Sequence, residues 1–287
     1  MLKKSLTTIT AGALFAGLSA SAVVVYEGFD YTDGTILTGS GGDNWNGAWS
    51  TDSDSTGDPS EFYTSTPGLS ISGLTTTGGL ASRSEGTFNR GWATRSIGGT
   101  TQSSLTGGSE MWFSFLYNSS GGEDFAFVFG DYDGLQGGSN PTLTSAGDAF
   151  GFASNGQNFS TITFDNSTGQ SLGTAVAGGT STVFIVGKIT FDDVNEGGFD
   201  KLELFNLSNA TTPEGSLPAA FSTATADLTQ SGFDMVGLWD RPNSVGEIDE
   251  IRLGNSYADV SAVPEPSAFA LLAGMFGLTL VMVRRRA

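Results

Sequence analysis

Apolar residues alternate with small or polar ones over much of the chain, with the two-residue period of β-strands. Asp124-Phe-Ala-Phe-Val-Phe-Gly-Asp131 puts Phe125, Phe127 and Phe129 on one face, and Lys201 to Phe205 alternates in the same way. Glu110–Tyr117, Val183–Phe191, Phe233–Trp239 and Gly246–Leu253 are strand-length runs rich in aromatic and β-branched residues. Turn pairs punctuate them: Asp33-Gly34, Asn46-Gly47, Asp133-Gly134, Asn155-Gly156 and Gly197-Gly198. No stretch between residues 23 and 263 sustains a 3.6-residue period. The pattern predicts an all-β fold, a two-sheet antiparallel jelly-roll sandwich.

The two ends carry a different pattern. Lys3 and Lys4 precede a short apolar stretch from Ile9 to Leu18, and Ala20-Ser21-Ala22 follows. That order predicts a signal peptide over residues 1–22, cleaved after Ala22, with the Sec export machinery and signal peptidase as partners. At the other end, the chargeless run Ser267–Val283 would make roughly 26 Å of helix, enough for one short membrane span. Pro264 and Pro266 stop any structure before it. Arg284, Arg285 and Arg286 would hold the far end on the cytoplasmic side. The expected layout is a body at 23–258, a linker at 259–263 and a C-terminal segment at 264–287.

Pro264-Glu265-Pro266, the apolar run and the terminal arginines resemble, in that order, the PEP-CTERM sorting signal of exported bacterial proteins. The resemblance implies an exosortase-type membrane protease as partner and cleavage near the tripeptide. It implies anchoring by one C-terminal helix with the body outside the cytoplasm, then transfer to the cell surface or extracellular matrix. Proteins with this signal accompany exopolysaccharide production.

Composition narrows the chemistry. The chain has no Cys and no His, which removes disulfides, thiolate chemistry and the commonest general base and zinc ligand. Its 42 glycines suit a turn-rich β protein. The net charge is −18. Setting aside Lys3, Lys4, the three terminal arginines and Glu265 leaves seven basic and 29 acidic residues, about −22 on the body. Such a surface excludes a nucleic-acid partner, since phosphate binding needs a basic face.

Tyr26-Glu-Gly-Phe-Asp-Tyr31, Trp45-Asn-Gly-Ala-Trp49 and Ile248-Asp-Glu-Ile-Arg-Leu-Gly254 are similar to the opening and closing segments of concanavalin A-like (laminin-G-like) jelly rolls. The resemblance implies two curved sheets of about six strands each, with the first and last strands adjacent. Carbohydrate or protein binding is common in that family.

Three kinds of site follow. Glu247-Ile-Asp249-Glu250-Ile is similar to the catalytic strand of jelly-roll β-glucanases, which need two carboxyls about 5–5.5 Å apart. The second carboxylate should fall at 251 or 252, where Ile251 and Arg252 stand, so the expectation is no catalytic residue and an Arg252 paired with a neighbouring strand. A glycoside hydrolase of that type is the alternative function. If the first and last strands pair, Glu27 and Asp30 would meet Asp249 and Glu250 and could take calcium, the one candidate cofactor. Trp45, Trp49 and Trp92 lie in polar, Gly-rich surroundings and are candidates for stacking on a sugar ring. The sequence points to an exported, non-enzymatic structural or adhesive protein with extracellular polysaccharide as partner.

Overall fold

The computed structural model describes residues 25–35, 37–53, 62–74, 76–83, 91–119, 124–130, 149–165, 169–193, 196–228, 230, 233–240 and 246–261. The expected signal peptide with Ala22, Pro264, Glu265, Pro266 and the expected membrane helix lie outside these residues. Among the described residues no helix is long and apolar enough to cross a membrane.

Among the described residues, sixteen strands form two antiparallel sheets of eight. The first sheet holds β1 (Val25–Glu27), β3 (Phe62–Ser65), β4 (Leu80–Arg83), β6 (Glu110–Ser119), β12 (Val183–Asp193), β13 (Phe199–Leu207), β14 (Ser222–Ala226) and β16 (Gly246–Gly254). Their order is β14-β13-β12-β6-β16-β4-β3, with β1 added to β16. The second holds β2 (Ser50–Ser53), β5 (Gly91–Ser96), β7 (Asp124–Gly130), β8 (Ala149–Asn155), β9 (Asn158–Asp165), β10 (Gly169–Leu172), β11 (Val176–Ala177) and β15 (Met235–Asp240). Their order is β10-β9-β8-β7-β15-β5-β2, with β11 on β9. The sheets are wider than the six strands each that the jelly-roll resemblance implies. The first and last strands are adjacent, with Val25 opposite Leu253 and Glu27 opposite Ile251.

The alternation read in the sequence sets the core. Phe125, Phe127 and Phe129 of β7 face Phe113, Phe115 and Tyr117 of β6 across the sandwich. Ring centroids lie 4.6 Å apart for Phe115 and Phe127, 4.9 Å for Tyr117 and Phe125, and 5.1 Å for Phe113 and Phe129. Burial of these rings is the main stabilising term, and their tilted and offset contacts add to it.

The outer face of the first sheet is also covered. Trp112, Leu116, Phe184, Val186 and Phe205 pack under Leu69, Leu74, Tyr257 and Val260. That explains why β6 reads as a continuous apolar run, since both of its faces are buried. Among the described residues two α-helices interrupt the β pattern, α1 (Gly99–Thr106) and α2 (Tyr257–Val260), with a 3-10 turn at Glu214–Ser216. The described residues of the body run through α2 to Ser261.

Candidate functional site

The outer face of the second sheet is built from small side chains flanked by large ones. Trp92 of β5 pairs with Trp239 of β15, which pairs with Ala126 of β7, which pairs with Ala153 of β8. Ile162 and Phe164 of β9 continue that face toward Leu172 and Gln170 of β10. Because residues two apart share a face, one register fixes the whole surface. Most of this face is buried, and it opens in a crevice toward the β10 edge. Trp239, Ala126, Ala153 and Ile162 give the crevice an apolar lining, and Ser154, Asn155, Ser160 and Gln170 give it polar groups. Leu172 stands at its rim, 56 % exposed, one of two large hydrophobic side chains so exposed among the described residues. None of the described residues lining the crevice carries a charge. The crevice has room for about 50 Å³, enough for a sugar's edge or an exocyclic group and too little for a whole ring, and its side-chain amides and hydroxyls can hydrogen-bond what enters.

The tryptophans expected from the sequence lie elsewhere or deeper. Trp49 is 2 % exposed, and its indole N–H donates to Glu27 Oε2 at 2.9 Å. It offers no face to a sugar and is part of the core. Trp45 is half-buried, donates to the Tyr26 carbonyl at 2.8 Å, and lies under the Arg95 guanidinium at 4.8 Å. Trp92 is 7 % exposed beside Trp239. Trp239 escaped notice because Met235-Val-Gly-Leu-Trp-Asp240 is apolar on both faces, and its order alone does not say which side meets a ligand.

The acidic residues expected to take a cation are separately occupied. Glu27 accepts from the Phe29 N–H at 2.7 Å, the Tyr31 hydroxyl at 2.7 Å, Trp49 and Arg95. Burial, the Glu27 charge and its hydrogen bond push the Tyr31 phenol well above its ordinary range. Asp30 is exposed at an open hollow with Tyr31, Thr32 and Thr35. Asp249 accepts from the Leu69 N–H at 2.9 Å and the Glu250 N–H at 2.7 Å. Burial, then the Glu250 charge, raise its pKa to about 8. Glu250 accepts from the Tyr26 hydroxyl and the Thr77 N–H, each at 2.9 Å. Among the described residues no group of three or more acidic side chains is placed to hold a metal ion.

The register of β16 explains this arrangement. A bulge between Asp249 and Arg252 puts Glu250 at φ 54, where an L-residue is strained. The bulge turns Arg252 back on its own strand, where it donates to Glu250 Oε2 at 2.8 Å. The expected pairing of Arg252 with a neighbouring strand is corrected accordingly. Glu247 accepts from Asn118 Nδ2 at 2.8 Å on the first sheet and is not part of the crevice.

No protein-family model and no curated protein matches the sequence. Among solved structures, the chain is similar to a protein of unknown function from Shewanella oneidensis MR-1, at 14 % identity and a TM-score of 0.47, covering 91 % of this chain and 99 % of that one. It is similar to the binding domain of botulinum neurotoxin serotype C1, at 6 % identity and a TM-score of 0.43, covering 83 % of this chain and 50 % of that one. A third likeness is to the CBM2 module of the evolved Dit of Lactobacillus casei BL23 phage J-1, at 11 % identity and a TM-score of 0.40, covering 83 % and 99 %. The chain thus spans about half the length of the toxin domain. Likenesses this distant do not bear on what the chain does.

Proposed function

We propose that the chain is an exported protein of the bacterial envelope or extracellular matrix. Its concanavalin A-like (laminin-G-like) jelly-roll body adheres to a neutral extracellular polysaccharide and catalyses nothing. The observation that carries export is the C-terminal sequence: Pro264-Glu265-Pro266, the chargeless run Ser267–Val283, then Arg284, Arg285 and Arg286. Together with residues 1–22, it supports anchoring with the body outside the cytoplasm and later release by an exosortase-type protease.

The crevice supports the adhesive role. Its amides and hydroxyls can hydrogen-bond the edge of a sugar at an uncharged surface, and a body charge near −22 disfavours an anionic polymer. The alternative, a jelly-roll glycoside hydrolase, needs two facing carboxyls, and the described lining of the crevice has none.

A glycan array combined with a reducing-sugar assay on the exported protein tests this. Binding to neutral glycans without release of reducing ends is expected, and Gln170→Ala and Leu172→Asp should weaken it at least tenfold. Release of reducing ends would favour the hydrolase. Binding unchanged in both variants would move the site away from the crevice.

A further inference from the structure

One row of paired residues crosses the outer face of the second sheet: Trp239 of β15, Ala126 of β7, Ala153 of β8 and Ser160 of β9. Neighbouring strands lie about 4.8 Å apart, so the two alanines leave a trough two strands wide between the indole and the serine. Ile162, two residues from Ser160 and on the same face, pairs with Leu172 of β10, and both line the side of the trough. The floor is therefore methyl groups. The polar end is the Ser160 hydroxyl, with the exposed Gln170 amide at the mouth.

Ser160 is 6 % exposed, yet its hydroxyl bonds no other described residue. Ser154, beside it in the lining, differs: its hydroxyl donates to the Gly156 carbonyl at 3.0 Å. Hydroxyls this deeply buried almost always have a partner. The one at 160 faces the crevice, where a ligand can supply it.

The small groups that project from sugar rings are few, and the trough sorts them. A carboxylate would meet no cation in the described lining, and an ammonium would meet no carboxylate. A hydroxymethyl group leaves the alanine floor without an apolar partner, and a deoxy-sugar methyl leaves Ser160 without a polar one. An acetamido group answers both: its methyl lies on the floor, its carbonyl accepts from Ser160, and its N–H turns to the mouth, where the Gln170 carboxamide can accept it. Room for about 50 Å³ admits the methyl and the carbonyl while the ring stays outside.

We infer that the crevice recognises the acetamido group of N-acetylhexosamine units in a neutral polysaccharide. The inference rests on the polysaccharide reading above and names what that site selects.

The test measures binding of the exported protein to matched pairs of neutral oligosaccharides, in several linkages. The two members of a pair share rings and linkage, and one carries an acetamido group where the other carries a hydroxyl. The acetamido members should bind at least about tenfold tighter. Ser160→Ala, which keeps the packing, and Ala153→Leu, which fills the trough, should each remove most of that preference. In saturation-transfer NMR, the acetyl methyl protons should be the most strongly labelled of the bound sugar. Equal binding within every pair overturns the acetamido inference and leaves polysaccharide adhesion standing. A preference that survives Ser160→Ala unchanged overturns it too. Binding to neither member of any pair overturns the polysaccharide reading itself.

Discussion

The Arg95 guanidinium, on β5 of one sheet, binds the Glu27 carboxylate, on β1 of the other, and each side chain is 1 % exposed. Arg95 also donates to the carbonyls of Gly47 at 2.9 Å and Gly41 at 2.7 Å. The pair is the node that ties the N-terminal segment 26–49 to both sheets. Breaking a buried pair from one side leaves a charge without its partner, which costs about 3–5 kcal/mol. Glu27→Gln and Arg95→Gln should each lower unfolding free energy by that order, and the double variant should lose clearly less than their sum. A double-mutant cycle in urea measures it; strict additivity would show that the two are not coupled.

Asp249 should make stability fall as pH rises. Its pKa is raised to about 8 by burial first and the Glu250 charge second, from an ordinary 3.8. Between about pH 4 and 8 the folded state keeps a proton that the unfolded state has lost, so stability declines through that window. Asp200 is shifted in the same direction by burial. Urea midpoints from pH 4.5 to 8 should fall less steeply in Asp249→Asn than in the unaltered protein. Parallel slopes would show that Asp249 is already ionised.

Gly187 of β12 lies opposite Phe113 of β6, and the phenyl ring occupies the space a Cβ at 187 would need. Phe113 is itself held by rings at 5.1 and 5.7 Å, so it cannot give way cheaply. Gly187→Ala should destabilise by about 1–3 kcal/mol, despite the usual gain from removing a strand glycine. Thermal melts report it; an unchanged or raised midpoint would mean the ring moves freely.

The crevice should separate stability from binding. Leu172 is 56 % exposed, so Leu172→Asp should change stability by no more than about 0.5 kcal/mol. Trp239 is 9 % exposed, and Trp239→Ala should cost about 3–5 kcal/mol. Denaturation of the two variants side by side tests the contrast.

What the sequence made legible was local. The two-residue period of Phe125, Phe127 and Phe129 located a strand and its core face, and Asn155-Gly156 marked a hairpin turn that joins β8 to β9. The helix α1 left no signal, because Gly-Thr-Thr-Gln-Ser-Ser-Leu-Thr carries a single large apolar residue, Leu105. The site was harder still. Glu27 and Arg95 are 68 residues apart, and nothing local pairs them. Trp49 looked exposed among polar neighbours, yet the fold brings its indole N–H to Glu27 and buries it. Trp239 belongs to the crevice only because β15 lies between β5 and β7, a matter of long-range strand order.

The central claim is export followed by removal of both terminal segments. Intact-mass analysis of the protein from the envelope and secreted fractions of its native host tests it most directly. The account predicts a chain that begins at Val23 and ends close to Pro264-Glu265-Pro266. A chain that still runs from Met1 to Ala287 in both fractions would contradict it.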